Sequence, residues 1–301
     1  MKGHQGERIR SPGVPSRLWG FEFWVLGFGL PGGGRLRRLG AAPIFTSDAD
    51  PKTILRSSRK TQNARLKTRR FLTSFPPARS FPVQSKTATL TINEIYRSIQ
   101  GESTWAGVPC VFVRLTFCDL RCNYCDTAYA FYAGNKMTLS EIIERILTFN
   151  CSLVEITGGE PLLQKNVLPL MKQLCDLGKT VLIETSGAHD ISGIDPRVHR
   201  IMDLKTPGSG EAERNRYENI PHLTKKDEVK FVIGSREDYL WSREKIEEFD
   251  LSNRCGTVLF SPIFGRIEPR EIVDWLLEDQ LAVRFQLQMH KFIWPPEMKG
   301  V

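Results

Sequence analysis

The segment "FCDLRCNYCDTAYAF" (117–131) places Cys118, Cys122 and Cys125 within eight positions and follows them at once with Asp126 and Thr127. A C-x3-C-x2-C spacing on one loop lets three thiolates converge on one metal centre. A closed structural zinc site takes four protein ligands and usually shows two CxxC-like pairs. No second pair is present, and His189, His199, His222 and His290 stand far along the chain. A [4Fe-4S] cluster held by three cysteines leaves one iron open to a small molecule. The spacing therefore favours an iron-sulfur cluster, with zinc as the rival occupant. Taken alone, Thr127 reads as a helix cap.

The elements around this loop alternate. "VFVRLT" (111–116), "LVEIT" (153–157), "TVLIET" (180–185), "HRIMDLK" (199–205), "EVKFVI" (228–233), "TVLFSP" (257–262) and "VRFQLQ" (283–288) read as strands. Helices are predicted over 138–149, with Thr138 and Glu141 in capping-box spacing, and over 162–178, 235–249 and 269–279. Strand followed by helix, repeated, implies parallel strands joined by crossovers. With six or seven such strands and no dinucleotide fingerprint, the α/β class expected is a partial, open (β/α) barrel. Its working groups sit on loops after the C-terminal strand ends, and the cysteine loop follows the first clear strand. Cys110, Cys151, Cys175 and Cys255 lie singly in apolar contexts and read as small core residues.

Charge divides the chain. Residues 1–86 hold 17 Lys and Arg against 4 Asp and Glu, leaving 25 against 30 for residues 87–301, so the overall +8 comes from the N-terminal part. That part also carries 10 Gly and 8 Pro without helical or strand periodicity. It reads as a disordered extension, or as residues upstream of a true start near Val83 or Leu90; a transit peptide or a basic arm are further readings. The catalytic domain is expected over 87–301. Seven cysteines without a recognisable secretory signal suit reduced thiols in the cytoplasm, and no apolar run is long enough to span a bilayer.

A second motif, "EITGGEP" (155–161), lies one βα unit beyond the cysteine loop. With it the chain resembles the radical S-adenosylmethionine superfamily. Within that superfamily it resembles the 7-carboxy-7-deazaguanine synthase family, through "INEIYRSIQGESTWAGVPCVFVRLTFCDLRCNYCDTAYAF" (92–131), "TGGEP", "ETSG" (184–187) and "QMHKFIWPP" (288–296). The resemblance runs from about residue 92 to Val301 and does not cover residues 1–91.

The resemblance implies a [4Fe-4S] cluster on Cys118, Cys122 and Cys125, with S-adenosylmethionine on its open iron. Cleavage of that cofactor would release a 5′-deoxyadenosyl radical. The radical would drive contraction of 6-carboxy-5,6,7,8-tetrahydropterin to 7-carboxy-7-deazaguanine, with loss of ammonia, for queuosine-type nucleosides. Substrate contacts carry over to Ile99, Gln100, Gly101, Arg114, Thr157, Glu184, His290 and the terminal carboxylate of Val301. S-adenosylmethionine contacts carry over to Tyr124, Cys125, Asp126 and Gly159, then Asp203, Leu204 and Lys205, and Ser261, Pro262, Ile263 and Phe264. Thr127 becomes a Mg²⁺ position. The glycines Gly158 and Gly159 would let the backbone approach the methionine moiety closely.

Read unaided, some of these residues have plainer roles. Arg114 in a buried strand needs a partner, which is either a carboxylate of the substrate or an internal Glu, and His290 could be a satisfied buried histidine. The family also implies a homodimer and an electron donor such as flavodoxin or ferredoxin, with no nucleic-acid or membrane partner. Two rival readings are a glycyl-radical enzyme activase, which shares the three-cysteine motif, and a zinc module with a basic arm.

Overall fold

The apolar runs read as strands all enter one sheet. The computed structural model describes residues 88–301, so the expectation of a disordered extension over 1–86 lies outside the described residues. In chain order the strands are β1 (Thr89–Ile99), β2 (Pro109–Leu115), β3 (Asn135–Thr138), β4 (Leu153–Gly158) and β5 (Thr180–Thr185). They continue with β6 (His199–Asp203), β7 (Glu228–Ile233), β8 (Thr257–Pro262) and β9 (Arg284–Phe285). Together they form a nine-stranded sheet in the order β3-β1-β2-β4-β5-β6-β7-β8-β9. From β2 through β4 to β9 the neighbours are parallel, and β1 pairs antiparallel with both β2 and β3. The edge strands β3 and β9 do not pair with each other, which leaves the barrel open as expected.

Crossover helices cover the outer face: α1 (Leu139–Leu147), α2 (Val167–Asp176), α3 (Arg236–Glu248), α4 (Leu251–Arg254) and α5 (Pro269–Glu278). The predicted capping box starts α1, with Glu141 N–H donating to Thr138 Oγ1 at 3.2 Å and Thr138 N–H donating to Glu141 Oε2 at 2.7 Å. Alternate strand residues such as Val113, Ile156, Ile183, Val229 and Phe260 pack with Ile142, Ile146, Leu170 and Tyr239 in the outer core. Burying each such side chain contributes about 1.5–3 kcal/mol.

The inner face carries a different sequence. Near the strand N-termini it is apolar, with Cys110, Phe112, Leu153, Leu182 and Ile201 packed together. Two or four residues further on, the same face carries Arg114, Glu155, Thr157, Glu184 and Asp203, and with Lys230 of β7 they line one cavity. The outer core holds the sheet together and leaves this inner end for polar groups.

Three features depart from the sequence reading or from its strand-helix alternation. The antiparallel strands β1 and β3 were not predicted; β1 opens the chain of the domain and carries the substrate loop at its end. No α-helix joins β5 to β6 or β6 to β7, where the connections use turns and short 3-10 segments over 207–209, 212–214 and 217–222. The predicted helix over 162–178 starts only at Val167, because Glu160 caps a separate 3-10 turn at Pro161–Leu163.

Candidate active site

A cavity of about 580 Å³ opens at the C-terminal ends of the strands. Its wall includes every residue carried over by resemblance except Leu204, Ser261 and Pro262. Those three are buried away from it: Leu204 joins the outer core, and Ser261 and Pro262 end β8. Their side chains do not line the cavity, so any contact these positions make with a ligand there falls to their backbone.

The cysteine loop is held at both ends. Phe117, its first residue, has φ +80° and donates its N–H to the Ala130 carbonyl at 3.0 Å. Inside the loop, Arg121 Nη1 donates to the carbonyls of Cys118 (2.8 Å) and Leu120 (2.7 Å). Asn123 N–H donates to Ser209 O at 2.9 Å, tying the loop to the segment after β6. His189, one of the histidines weighed as a zinc ligand, meets Asp119 Oδ1 at 3.1 Å.

Cys118, Cys122 and Cys125 are free thiols that line the same cavity. Burial pushes all three up, Cys122 to about 11, so binding a metal here must displace protons. Among the described residues, no three His, Cys, Asp or Glu groups stand in a preformed metal-ligand set. The loop's fit to a cluster rests on its chemistry: three unpaired thiols on one strapped loop, all facing one cavity. Asp203 fits the adjacent cofactor, since its Oδ1 is buried without a hydrogen-bond partner among the described residues while Oδ2 meets Lys205 Nζ at 2.9 Å.

The glycine motif serves the loop directly. Gly159 N–H donates to Leu115 O at 3.2 Å and Glu160 N–H to Phe117 O at 2.7 Å. A Cβ on Gly159 would overlap the Phe117 carbonyl and come within 2.8 Å of Cys118 Cβ, and one on Gly158, at φ +141°, would overlap the Leu115 backbone. The glycines thus admit the chain's own β2 end and cysteine loop, a role the sequence reading did not give them. Glu160 is fully buried and accepts from Leu162 N–H (2.9 Å), Thr185 Oγ1 (2.9 Å), Ser186 N–H (2.8 Å) and Ser186 Oγ (2.6 Å). It clamps the ends of β4 and β5 together.

Polar groups crowd the opposite wall. Gln100 Nε2 donates to Glu155, and Gln100 Oε1 accepts Glu102 N–H at 2.9 Å, which sets the amide's orientation. Arg114 has the internal partner that its buried strand demanded: Nε donates to Glu94 Oε1 at 2.7 Å and Nη2 to the Tyr96 hydroxyl at 2.8 Å. Burial, then the nearby Glu184 and Glu102 charges, holds Glu155 well above the usual carboxylate range. Lys230 is hydrogen-bonded to both Glu102 and Glu184. Thr127 is not the helix cap of the sequence reading; it precedes the 3-10 turn without a capping bond, and its hydroxyl donates to Asp126 Oδ1 at 3.0 Å.

The C-terminal segment closes the cavity's side. Met289 N–H donates to Gly101 O at 2.9 Å, and the His290 ring fills the space a Cβ on Gly101 would need. Burial lowers the His290 pKa, favouring a neutral imidazole. Gln288 Nε2 donates to Glu102 Oε1 at 2.9 Å, Lys291 Nζ to Asp126 Oδ2 at 2.7 Å, and Lys299 Nζ stands 4.2 Å over the Tyr129 ring. Glu155, Lys230, Glu102, Glu94 and Lys291 escaped the sequence reading. The first two had a legible signal, charge among apolar strand residues: Glu155 is the single charge of "LVEIT", and Lys230 stands with Glu228 in "EVKFVI".

An open, mostly parallel sheet with a strapped three-thiol loop over its cavity defines a protein of the radical SAM superfamily, whose domain is matched over residues 112–208. That superfamily works with S-adenosylmethionine on a [4Fe-4S] cluster. The chain belongs to the 7-carboxy-7-deazaguanine synthase family. A 7-carboxy-7-deazaguanine synthase of Chlorobaculum tepidum is 46% identical over 220 residues, covering 72% of this chain and 100% of the relative. One of Koribacter versatilis is 47% identical over 226 residues, covering 70% and 100%. Among solved structures, that of QueE from Escherichia coli superposes with a TM-score of 0.56 at 22% identity, covering 67% of this chain and 95% of that one; it supports the fold. No helix among the described residues is long and apolar enough to cross a membrane.

Proposed function

We propose that this protein is a cytoplasmic carbon-nitrogen lyase that contracts 6-carboxy-5,6,7,8-tetrahydropterin to 7-carboxy-7-deazaguanine with release of ammonia, a step toward queuosine-type nucleosides. The observation that carries the reading is the gathering, in one cavity, of the three thiols and of Gln100, Arg114, Thr157, Glu184, His290 and Val301. Cys118, Cys122 and Cys125 would hold the cluster, Thr127 a Mg²⁺ ion, and Asp203 with Lys205 the cofactor's polar groups. When bound, the cluster and S-adenosylmethionine supply the radical that takes a hydrogen from the substrate.

The chain's own residues would do the positioning. Gln100 presents a fixed amide, with Oε1 toward the loop and Nε2 toward Glu155, so its second N–H is directed by the protein. Glu155, which burial and neighbouring carboxylates shift toward its protonated form, and Glu184 offer different hydrogen-bonding edges on neighbouring strands. Arg114, already paired with Glu94, is a planar donor whose orientation is set before substrate arrives. The C-terminal segment limits water at the reacting ring, and holding a reactive intermediate in one geometry is the protein's contribution to rate. A homodimer and a flavodoxin or ferredoxin as electron donor belong to the same proposal.

The test is anaerobic reconstitution with iron and sulfide, counting both, followed by incubation with S-adenosylmethionine, a reductant and the carboxytetrahydropterin. The expected product is 7-carboxy-7-deazaguanine. Loaded protein that yields none overturns the reading, and zinc in place of iron removes its redox chemistry. Replacing any one of Cys118, Cys122 or Cys125 by Ala should abolish cluster incorporation.

A further inference from the structure

Lys230 joins parts of the cavity that are otherwise separate. Its ammonium lies 3.0 Å from Glu102 Oε2, is hydrogen-bonded to Glu184 Oε1, and stands 3.8 Å from Asp203 Oδ2. The three carboxylates come from three elements, the loop after β1, the end of β5 and the end of β6, and Lys230 itself from β7. All four residues line the cavity, and Lys230 is only 5% exposed.

A buried ammonium needs countercharge, which one carboxylate can provide. Here three surround it, and Lys205 adds a second cation at Asp203. Two ammonium groups against three carboxylates leave the cluster one negative charge in excess. Burial would lower the Lys230 pKa, but Glu102, Glu184 and Asp203 raise it well above the ordinary value. The excess therefore sits on the carboxylates.

Glu184 is where that excess meets the cavity. Its Oε1 is engaged by Lys230, while its Oε2 has only the Thr157 hydroxyl at 3.4 Å. Both Glu102 oxygens are engaged, one by Lys230 and one by Gln288. An acceptor held in this way suits a ligand edge with adjacent N–H donors, such as an aminopyrimidinone ring.

We propose that Lys230 is a positioning residue for substrate recognition: it pins Glu184 through Oε1, so that Oε2 faces the cavity as an acceptor for the ring's N–H donors. The inference rests on the pterin reading of the preceding subsection. It differs from a role in packing because it acts through one named residue and concerns one of the two ligands.

The test measures substrate and S-adenosylmethionine binding separately by calorimetry, with KM and kcat, for the reconstituted wild type, Lys230→Met, Lys230→Arg, Glu184→Gln and the Lys230→Met/Glu184→Gln double variant. Lys230→Met should weaken pterin binding about tenfold or more, as expected for truncating one partner of a buried charge pair, and leave S-adenosylmethionine affinity within about threefold. Lys230→Arg should recover most of the loss. Adding Lys230→Met to Glu184→Gln should cost little further, because residues in one network are not additive. If Lys230→Met does not fold, the double variant, which removes one charge of each sign, and Lys230→Arg carry the comparison. Unchanged pterin affinity, equal losses for both ligands, or strict additivity overturns the proposal while the pterin reading stands. A wild type that does not bind the pterin overturns the reading, and the proposal with it.

Discussion

Lys291 Nζ lies 2.7 Å from Asp126 Oδ2, so two residues 165 positions apart join the C-terminal segment to the end of the cysteine loop. Burial alone would raise the Asp126 pKa; the Lys291 charge and hydrogen bond overcome it and hold the carboxyl well below its usual range. A depressed carboxylate contributes stability that is full above the unfolded value near ~4 and disappears as pH falls through the folded one. Asp126 is 48% exposed at its side chain, so solvent screening limits the pair to about 0.5–1 kcal/mol. Lys291→Met should be less stable than wild type by that amount at pH 7. In urea unfolding across pH 7 to 3, the gap should hold down to about pH 4 and begin to narrow below it.

Gly159 sits where its neighbours leave no room for a methyl group. Gly159→Ala should cost about 1–3 kcal/mol by forcing the Phe117 carbonyl and Cys118 apart. The thermal midpoint should fall, and iron per chain after reconstitution should fall with it, since the displaced segment carries a thiol.

Glu160 stabilises the same region through its carboxylate. Its oxygens take donors from Leu162, Thr185 and Ser186 in a fully buried position. Glu160→Ala leaves those donors unpaired and should cost about 2–4 kcal/mol, read as a lower denaturant midpoint with the same slope. Glu160→Gln retains one acceptor and should lose less.

Glu155 has the opposite charge preference. Burial, reinforced by Glu184 and Glu102, raises its pKa in the folded protein. A raised carboxyl group favours the folded state fully below the unfolded pKa near ~4.3, and this advantage is lost as pH rises toward the folded value. Glu155→Gln, which mimics the neutral acid, should therefore gain stability relative to wild type as pH rises from about 4 to 7. A gap that does not grow over that range contradicts the raised pKa of Glu155.

Lys299 and Val301 both line the cavity, and Lys299 stands over the Tyr129 ring, whose hydroxyl donates to Glu94 at 2.9 Å. Removing Lys299–Val301 takes away the cation–π contact and part of the cavity wall. Substrate KM should rise by about 2- to 30-fold, in line with ~0.5–2 kcal/mol for such a contact, while the iron content stays unchanged.

Much of the architecture was legible because its signals are local. The alternating runs at 111–116, 153–157, 180–185 and 228–233 named their strands, and Thr138 with Glu141 marked the start of α1. The connections from β5 to β7 were not legible, since Pro207, Gly208 and Gly210 specify turns without saying what bridges the strands. β1 was missed for a related reason: "TLTINEIYRSI" mixes polar and apolar residues, because one face meets the core while the other carries Glu94 and Tyr96 toward the site.

The sequence by itself determined that three thiols share one loop, that a glycine pair and an acid follow the next strand, and which family these motifs belong to. Such facts depend on residue type and short spacing alone. Only the tertiary structure decided that Arg114 is paired with Glu94, that Thr127 caps no helix, that Leu204 faces the outer core, and that Lys230 stands among three carboxylates. Those relationships join residues from different strands, and their partners are set by strand order and register, which no single segment encodes. The charge state of a group such as Glu155 follows from the same cause, because burial and neighbouring charge exist only once the sheet has brought the strands together.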